Sequence, residues 1–140
     1  MKNKEFIDEW VKFAQMDFDA ALHLHCNMIP EPFEIVCFHC QQSAEKVVKA
    51  LMLSFDMEIP RTHDLGLLTG QLGEHVSFPQ EILDACNALT SYAVNIRYPY
   101  DKEMDIYYVK KAVQDAEKIL SWVKATLERE ESGGMESSDA

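Results

Sequence analysis

Apolar residues recur at intervals of three and four along most of this chain, the spacing that places them on one face of an α-helix. A first helix is predicted from about Glu5 to Cys26. Its predicted core face, interrupted only by Asp17, consists of Phe6, Trp10, Phe13, Ala14, Ala21 and Leu24. Pro30 and Pro32 end this helix, because proline lacks the amide hydrogen and clashes with the preceding turn.

A second helix is predicted from about Phe33 to Asp56. It carries an apolar stripe of Val36, Cys40, Ala44, Val47, Val48, Leu51, Met52 and Phe55. Beside this stripe lies a polar one, made of Gln41, Gln42, Glu45, Lys46 and Lys49. A polar stripe along one edge of a core helix indicates a place where a helical bundle can hold a ligand or a partner.

Two shorter patterns follow the second helix. Thr62 is predicted to cap a short helix, with Asp64 in its first turn, where the helix dipole favours a negative charge. The apolar residues of that helix are Leu65, Leu68 and Leu72. A third long helix is predicted to begin near Pro79 and to end before Pro99. Its apolar stripe consists of Ile82, Leu83, Cys86, Leu89, Tyr92, Ala93 and Ile96.

The last long helix is predicted from about Glu103 to Arg129. Its apolar stripe consists of Tyr108, Ala112, Val113, Ala116, Ile119, Leu120, Val123 and Leu127. Because no alternating strand pattern occurs, we predict an all-α fold, an antiparallel up-and-down four-helix bundle with an additional short helix. Residues 1–130 would form this bundle, and the polar, Gly- and Ser-rich segment 131–140 is predicted to be a disordered tail.

Composition narrows the possible partners. The chain has 140 residues, 47% of them hydrophobic, which suffices for one domain with one core. Its net charge of −11 argues against broad, non-specific adhesion to nucleic acid, because such binding needs Lys and Arg to displace counterions from phosphates. No run reaches the roughly 18 apolar residues of a membrane helix, and the N-terminal pattern is amphipathic, unlike a signal sequence. We therefore expect a soluble, cytoplasmic protein without a membrane partner.

The four cysteines are interpreted as reduced thiols, since a domain of this size with its own core does not need disulfides. Cys37 and Cys40 form a CxxC motif. Zinc sites with this motif usually lie on tight turns and use a second ligand pair, which is absent here. We interpret both residues as buried helical cysteines, and no metal or cofactor is predicted.

Three short motifs occur in a distinctive order, namely QQSAEKVVKAL at 41–51, PRTHDL at 60–65 and NIRYP at 95–99. Together they resemble the HEPN domain family, over residues from about 5 to 127. The resemblance implies a helical bundle, commonly a homodimer, often encoded beside or fused to a minimal nucleotidyltransferase. Members of the family are either ribonucleases of toxin and defence systems or binding and scaffold forms that cleave nothing.

The ribonuclease branch of the family has an arginine a few residues before a histidine. Arg97 matches that arginine, but no histidine follows it anywhere in the chain. The imidazole would act as general acid or base, and the guanidinium would stabilise charge on the phosphate. Without the histidine the standard mechanism is not expected, and no catalytic residue is assigned. His63, beside Asp64, is the best substitute base among the other histidines.

We therefore expect a HEPN-like non-catalytic binding or accessory domain, a homodimer that partners a minimal nucleotidyltransferase and contacts nucleotide, phosphate or RNA. The residues predicted to form the polar groove are Gln42, Glu45, Lys46, Lys49, His63, Arg97 and Tyr98. The same side chains also fit a purely structural role as ion pairs and hydrogen bonds within the bundle. Two other functions stay open: a metal-independent endoribonuclease that uses Arg97 with a non-standard acid or base, and a stand-alone nucleotide sensor.

Overall fold

Five helices make up the computed structural model, which describes residues 4–93 and 105–139, with side chains as far as Ser132. In chain order the helices are α1 (Lys4–Asn27), α2 (Phe33–Ser54), α3 (Leu65–Leu72), α4 (Gln80–Thr90) and α5 (Ile106–Asp139). The described residues contain no strand. The predicted all-α class is confirmed, as is the antiparallel bundle with one additional short helix.

Helix α2 is the central element, because it contacts each of the other four helices. It is buried around most of its circumference, as expected of a helix enclosed by others. Burying one Leu or Val side chain stabilises the fold by roughly 1.5–3 kcal/mol, so the helices that cover α2 are held chiefly by this burial. The core residues of α5 are Val109, Ala112, Val113, Ala116, Ile119, Leu120 and Val123.

The buried face of α1 differs from the predicted one. It consists of Ile7, Ala14, Phe18 and Ala21. The predicted core residues Phe6 and Phe13 are instead 61% and 45% exposed, and Trp10 is half-buried. Helix α1 has two adjacent apolar stripes, and the buried one contains alanines, which let neighbouring helices approach closely. We call Phe6, Trp10 and Phe13 the aromatic face of α1.

The cap of α3 also differs from the prediction. Asp64 is the N-cap, since its Oδ1 accepts hydrogen bonds from the amides of Gly66 at 2.9 Å and Leu67 at 3.3 Å. Thr62 accepts instead from the amide of Asp64, at 3.1 Å, and so orders the turn before the helix. Asp caps a helix at least as well as Thr, and Asp64 directly precedes the first helical residue.

Helix α4 ends at Thr90, before the predicted end just ahead of Pro99. The amides of Tyr92 and Ala93 bond to carbonyls three residues earlier, so the helix closes in a tight turn. The hydroxyl of Thr90 accepts a hydrogen bond from the amide of Leu65 at 3.3 Å, which joins the end of α4 to the start of α3. Residues 94–104, including Ile96, lie outside the described residues.

Helix α5 begins after Asp105, whose carboxylate accepts from the amides of Tyr107 and Tyr108. It continues to Asp139, beyond the predicted end at Arg129. Glu128, Glu130 and Glu131 are good helix formers and favour continuation just past the last core residue, whereas Gly133 and Gly134 are poor ones, so the local sequence does not explain the last turns. Disorder of the tail in solution stays a prediction.

Three of the four cysteines are buried, as interpreted from the sequence. Burial, together with the charges of Cys37 and Asp115, raises the pKa of the Cys40 thiol, and burial and Asp115 raise that of Cys86 to about 12. These thiols are therefore poor nucleophiles at neutral pH. Within the ranges described, no three His, Cys, Asp or Glu side chains are grouped to hold a metal ion. None of the helices described there is long and apolar enough to cross a bilayer.

Candidate functional site

A buried carboxylate, Glu45, is the centre of a hydrogen-bonded cluster between α2 and the loop that leads to α3. Its Oε1 accepts from Gln41 Nε2 at 3.0 Å and lies 2.8 Å from His63 Nδ1. Its Oε2 accepts from Lys49 Nζ at 3.0 Å. We call Gln41, Gln42, Glu45, Lys49 and His63 the Glu45 cluster.

The positions of these side chains follow from the helix period. Residues 41, 45 and 49 are four apart, so they lie above one another along one side of α2. His63 is held against this side by its backbone as well, because Gln41 Nε2 donates to the His63 carbonyl at 3.2 Å. Gln42 joins the cluster by donating to Gln41 Oε1 at 2.7 Å. No buried side-chain nitrogen or oxygen among the described residues lacks a hydrogen-bond partner.

The electrostatics of the cluster favour an ionised Glu45. Burial opposes ionisation, but hydrogen bonds from Gln41, Lys49 and His63, with the charge of Lys49, outweigh it and lower the pKa of Glu45. A carboxylate facing Nδ1 of His63 favours a proton on that nitrogen, so in the neutral imidazole Nε2 is the hydrogen-bond acceptor. The His63 side chain is 62% exposed, whereas those of Glu45 and Lys49 are 6% and 9% exposed. The imidazole is thus the main part of the cluster that reaches solvent.

Lys46, predicted to share the groove with Glu45, lies on another side of α2. Successive residues of an α-helix differ by about 100° in direction, so Lys46 faces α1 while Glu45 faces the loop. Its Nζ donates to Asp17 Oδ2, and Asp17 Oδ1 lies 3.0 Å from His39 Nδ1. The sequence contained a signal for this second cluster, because Asp17 was the one polar residue in an otherwise apolar stripe.

The structure therefore brings together four of the seven predicted groove residues, which are Gln42, Glu45, Lys49 and His63. Gln41, which the predicted groove omitted, connects three of them through its amide. Arg97 and Tyr98 lie outside the described residues. Their placement in the groove stays a prediction.

A separate surface feature adjoins Lys46. The aromatic face of α1 borders a cavity of about 260 Å³, which is also lined by Glu9 and Lys46. Large exposed apolar side chains that form one patch with a polar rim are typical of an interaction surface. The aromatic face of α1 therefore lies beside one acidic side chain, Glu9, and one basic side chain, Lys46.

Comparison with known proteins gives a family and a fold. The model of the HEPN domain matches residues 7–126. The solved structure of TT1696 from Thermus thermophilus is similar with a TM-score of 0.73 and 24% identity, over 89% of this chain and 98% of that one. The solved structure of ST0689, an archaeal HEPN homologue, is similar with a TM-score of 0.67 and 26% identity, over 86% of this chain and 96% of that one.

A HEPN domain protein of Thermotoga maritima, tm0613, is similar with a TM-score of 0.59 and 20% identity, over 92% of this chain and 99% of that one. No curated protein matches the chain. The matched residues include α2, the loop with His63 and the aromatic residues Trp10 and Phe13. This chain belongs to the HEPN domain family.

Proposed function

We propose that this chain is a non-catalytic binding or accessory HEPN domain, which works as a homodimer beside a minimal nucleotidyltransferase. The observation that carries the proposal is the aromatic face of α1, which the described part of the chain leaves largely uncovered. In the same proposal, the exposed edge of the Glu45 cluster contacts a nucleotide or a phosphate group.

A second copy of this chain is the occupant we propose for the aromatic face. A two-fold interface uses the same patch on both subunits, so the patch must complement itself. Glu9 and Lys46 place opposite charges beside the rings, and in a pair of copies the lysine of one, which also bonds to its own Asp17, can approach the glutamate of the other. The net charge of −11 opposes association of any two copies, so the apolar contact between the aromatic faces has to outweigh this repulsion. Aromatic residues are also enriched at the centres of interfaces.

The Glu45 cluster supports recognition more than chemistry. The charges of Glu45 and Lys49 compensate each other inside the protein, and the most exposed side chain of the Glu45 cluster is His63. Gln42, which is half-buried, lies at the same edge. The sequence has no histidine after Arg97, so the standard pair of catalytic residues is missing.

The partner part of the proposal is tested by asking whether a neighbouring gene encodes a minimal nucleotidyltransferase and, where it does, by mixing that protein with the purified chain. Light scattering coupled to gel filtration should show one complex that contains two copies of this chain. Separate elution of the two proteins at concentrations of tens of micromolar would reject the partnership.

The nucleotide part is tested by thermal shift with ATP, GTP and inorganic phosphate. A ligand at 100 times its Kd stabilises a protein by about 2.7 kcal/mol, which is readily measured. The shift should be lost in His63→Gln and kept in His23→Gln, a substitution of an exposed histidine on α1. If no nucleotide or phosphate shifts the transition, the Glu45 cluster is structural, while the dimer proposal is unaffected.

One observation favours a second candidate, the metal-independent endoribonuclease. The 2.8 Å contact from Glu45 to His63 Nδ1 leaves Nε2 exposed, which is the arrangement of a carboxylate-oriented general base. Cleavage of RNA by the wild-type protein, abolished in His63→Ala with the oligomeric state unchanged, would replace the accessory proposal by this one. Nucleotide binding without a nucleotidyltransferase complex would instead favour the stand-alone sensor.

A further inference from the structure

A second cavity, of about 280 Å³, lies where the end of α4 meets the start of α5. Its walls include Tyr92, Tyr107, Tyr108, Lys111 and Asp115, and two alanines complete the lining. We call it the tyrosine pocket. It shares no residue with the Glu45 cluster or with the aromatic face of α1, so neither proposed role accounts for it.

The rings of Tyr107 and Tyr108 line the tyrosine pocket and are nearly perpendicular to each other. Their ring centroids are 5.7 Å apart, and the ring planes meet at 76°. Tyr107 is 65% exposed and Tyr108 is 42% exposed, so both side chains can be reached by a molecule from solvent. Because Asp105 caps the first turn of α5 at these two residues, the positions of their backbones are fixed by the fold.

The charged part of the pocket is an ion pair between the buried carboxylate of Asp115 and the flexible side chain of Lys111. Asp115 is 4% exposed, and its two oxygens lie 3.2 and 3.0 Å from Lys111 Nζ. A carboxylate has about four acceptor positions, and among the described residues Lys111 is the donor that the Asp115 side chain has. The Lys111 side chain is 50% exposed and its long stem can turn into water. The chain's own ammonium group therefore occupies a place that another cation can take.

We propose that the tyrosine pocket binds an organic cation, an alkylammonium or guanidinium group, which replaces Lys111 at Asp115 and lies against the ring faces of the tyrosines. Aromatic rings attract cations through the negative potential of their faces, most strongly where water is partly excluded. A buried carboxylate disfavours phosphate and other anions in the same place. The net charge of −11 further raises the local concentration of cations.

Titration of the intact protein with tetramethylammonium chloride tests the proposal, with sodium chloride of equal ionic strength as the blank. Ring resonances of Tyr107 and Tyr108 should shift in a saturable way. Removing one ring in Tyr107→Leu should weaken binding by about fivefold, whereas Tyr107→Phe keeps the ring and most of the affinity. Phe6→Leu, which removes an exposed ring from α1, is the matched control and should bind like the wild type.

Two substitutions at the ion pair add to the test. Lys111→Met removes the competing ammonium group and should tighten binding, and Asp115→Asn should abolish saturable binding. Because Asp115 is buried, Asp115→Asn can disturb the fold, so its binding result counts only if the variant still unfolds cooperatively. Tyr107 is exposed, so Tyr107→Leu tests the proposal without this condition. Absence of saturable shifts beyond the sodium blank with both an alkylammonium and a guanidinium compound, or equal affinity in Tyr107→Leu and the wild type, would overturn the proposal.

The cation has two natural sources, a free small amine and a basic side chain of a protein partner. N-acetyl-arginine methylamide is compared with tetramethylammonium to separate them. Tighter binding of the arginine compound by tenfold or more, an increment of about 1.4 kcal/mol, supports a basic peptide as the ligand. Tighter binding of tetramethylammonium supports a free methylated amine, and failure of both rejects the site.

Discussion

At the scale of single residues, the main feature of this molecule is the joint burial of Glu45 and Lys49. A buried pair of charges contributes little net stability, yet removal of one partner is costly because the other charge stays in a poorly solvated place. Gln41 and His63 both contact Oε1 of Glu45, and Lys49 bonds to its Oε2, so the whole cluster depends on its central carboxylate.

Replacing Glu45 by Gln should lower the free energy of unfolding by about 3 kcal/mol, because Lys49 then remains buried without an opposite charge. Urea denaturation gives this value directly. Glu117→Gln on the exposed side of α5 is the matched control and should change stability by no more than about 0.5 kcal/mol. Equal changes in the free energy of unfolding for the two substitutions would show that the charge of Glu45 does not contribute to stability.

The lowered pKa of Glu45 also predicts a pH dependence of stability. The folded state holds fewer protons than the unfolded state while pH lies between the two pKa values, so stability rises with pH there. The contribution of Glu45 is complete above the ordinary carboxyl pKa of about 4.3 and is lost as pH falls through the lower folded value. Urea unfolding from about pH 3 to 6 should show a smaller slope in Glu45→Gln than in Glu117→Gln. Identical slopes would contradict the assignment.

Part of this site was predictable from the sequence. The spacing of Glu45 and Lys49 predicts an intrahelical pair, and it is found. The contact between Glu45 and His63 was not predictable, because it depends on the path of the loop between α2 and α3. The direction of Lys46 was missed because all five residues of the polar stripe were treated as one face, although their directions span more than one side of α2.

At the scale of helices, the ends are set by short side chains and the faces by packing. Asp64 caps α3, and Asp105 plays the same part for α5. The helices themselves follow from apolar periodicity, which is why their existence and order were predicted. The buried face of α1 was predicted correctly at Ala14 and Ala21 but not at its large residues. Because two neighbouring stripes are both apolar, only tertiary packing decides that Phe18 is buried and Phe13 exposed.

Asp64→Ala should destabilise the protein by about 1 kcal/mol, since two amides at the start of α3 lose their acceptor. Asp64→Asn should recover most of this loss, because an amide oxygen also caps. Urea denaturation of both variants and of Thr62→Ala makes the comparison. A larger loss in Thr62→Ala than in Asp64→Ala would assign the cap to Thr62 after all.

At the scale of the whole molecule, two features oppose each other. The chain carries a net charge of −11, which keeps copies apart, and a row of uncovered aromatic side chains on α1, which favours association. Salt screens the repulsion and leaves apolar contact intact. The Kd of the proposed homodimer should therefore fall as sodium chloride is raised from about 50 to 500 mM, as measured by sedimentation equilibrium. A Kd that rises with salt would indicate an interface held by ion pairs.

The most direct test of the accessory homodimer is the mass of the protein in solution with and without an intact aromatic face. Light scattering should give twice the chain mass of 16.1 kDa for the wild type and the single-chain mass for Phe13→Glu. Leu67→Glu, at a comparably exposed position on α3, should remain a dimer. A wild-type mass of 16.1 kDa at concentrations of tens of micromolar, or a Phe13→Glu variant that stays dimeric, would contradict the account.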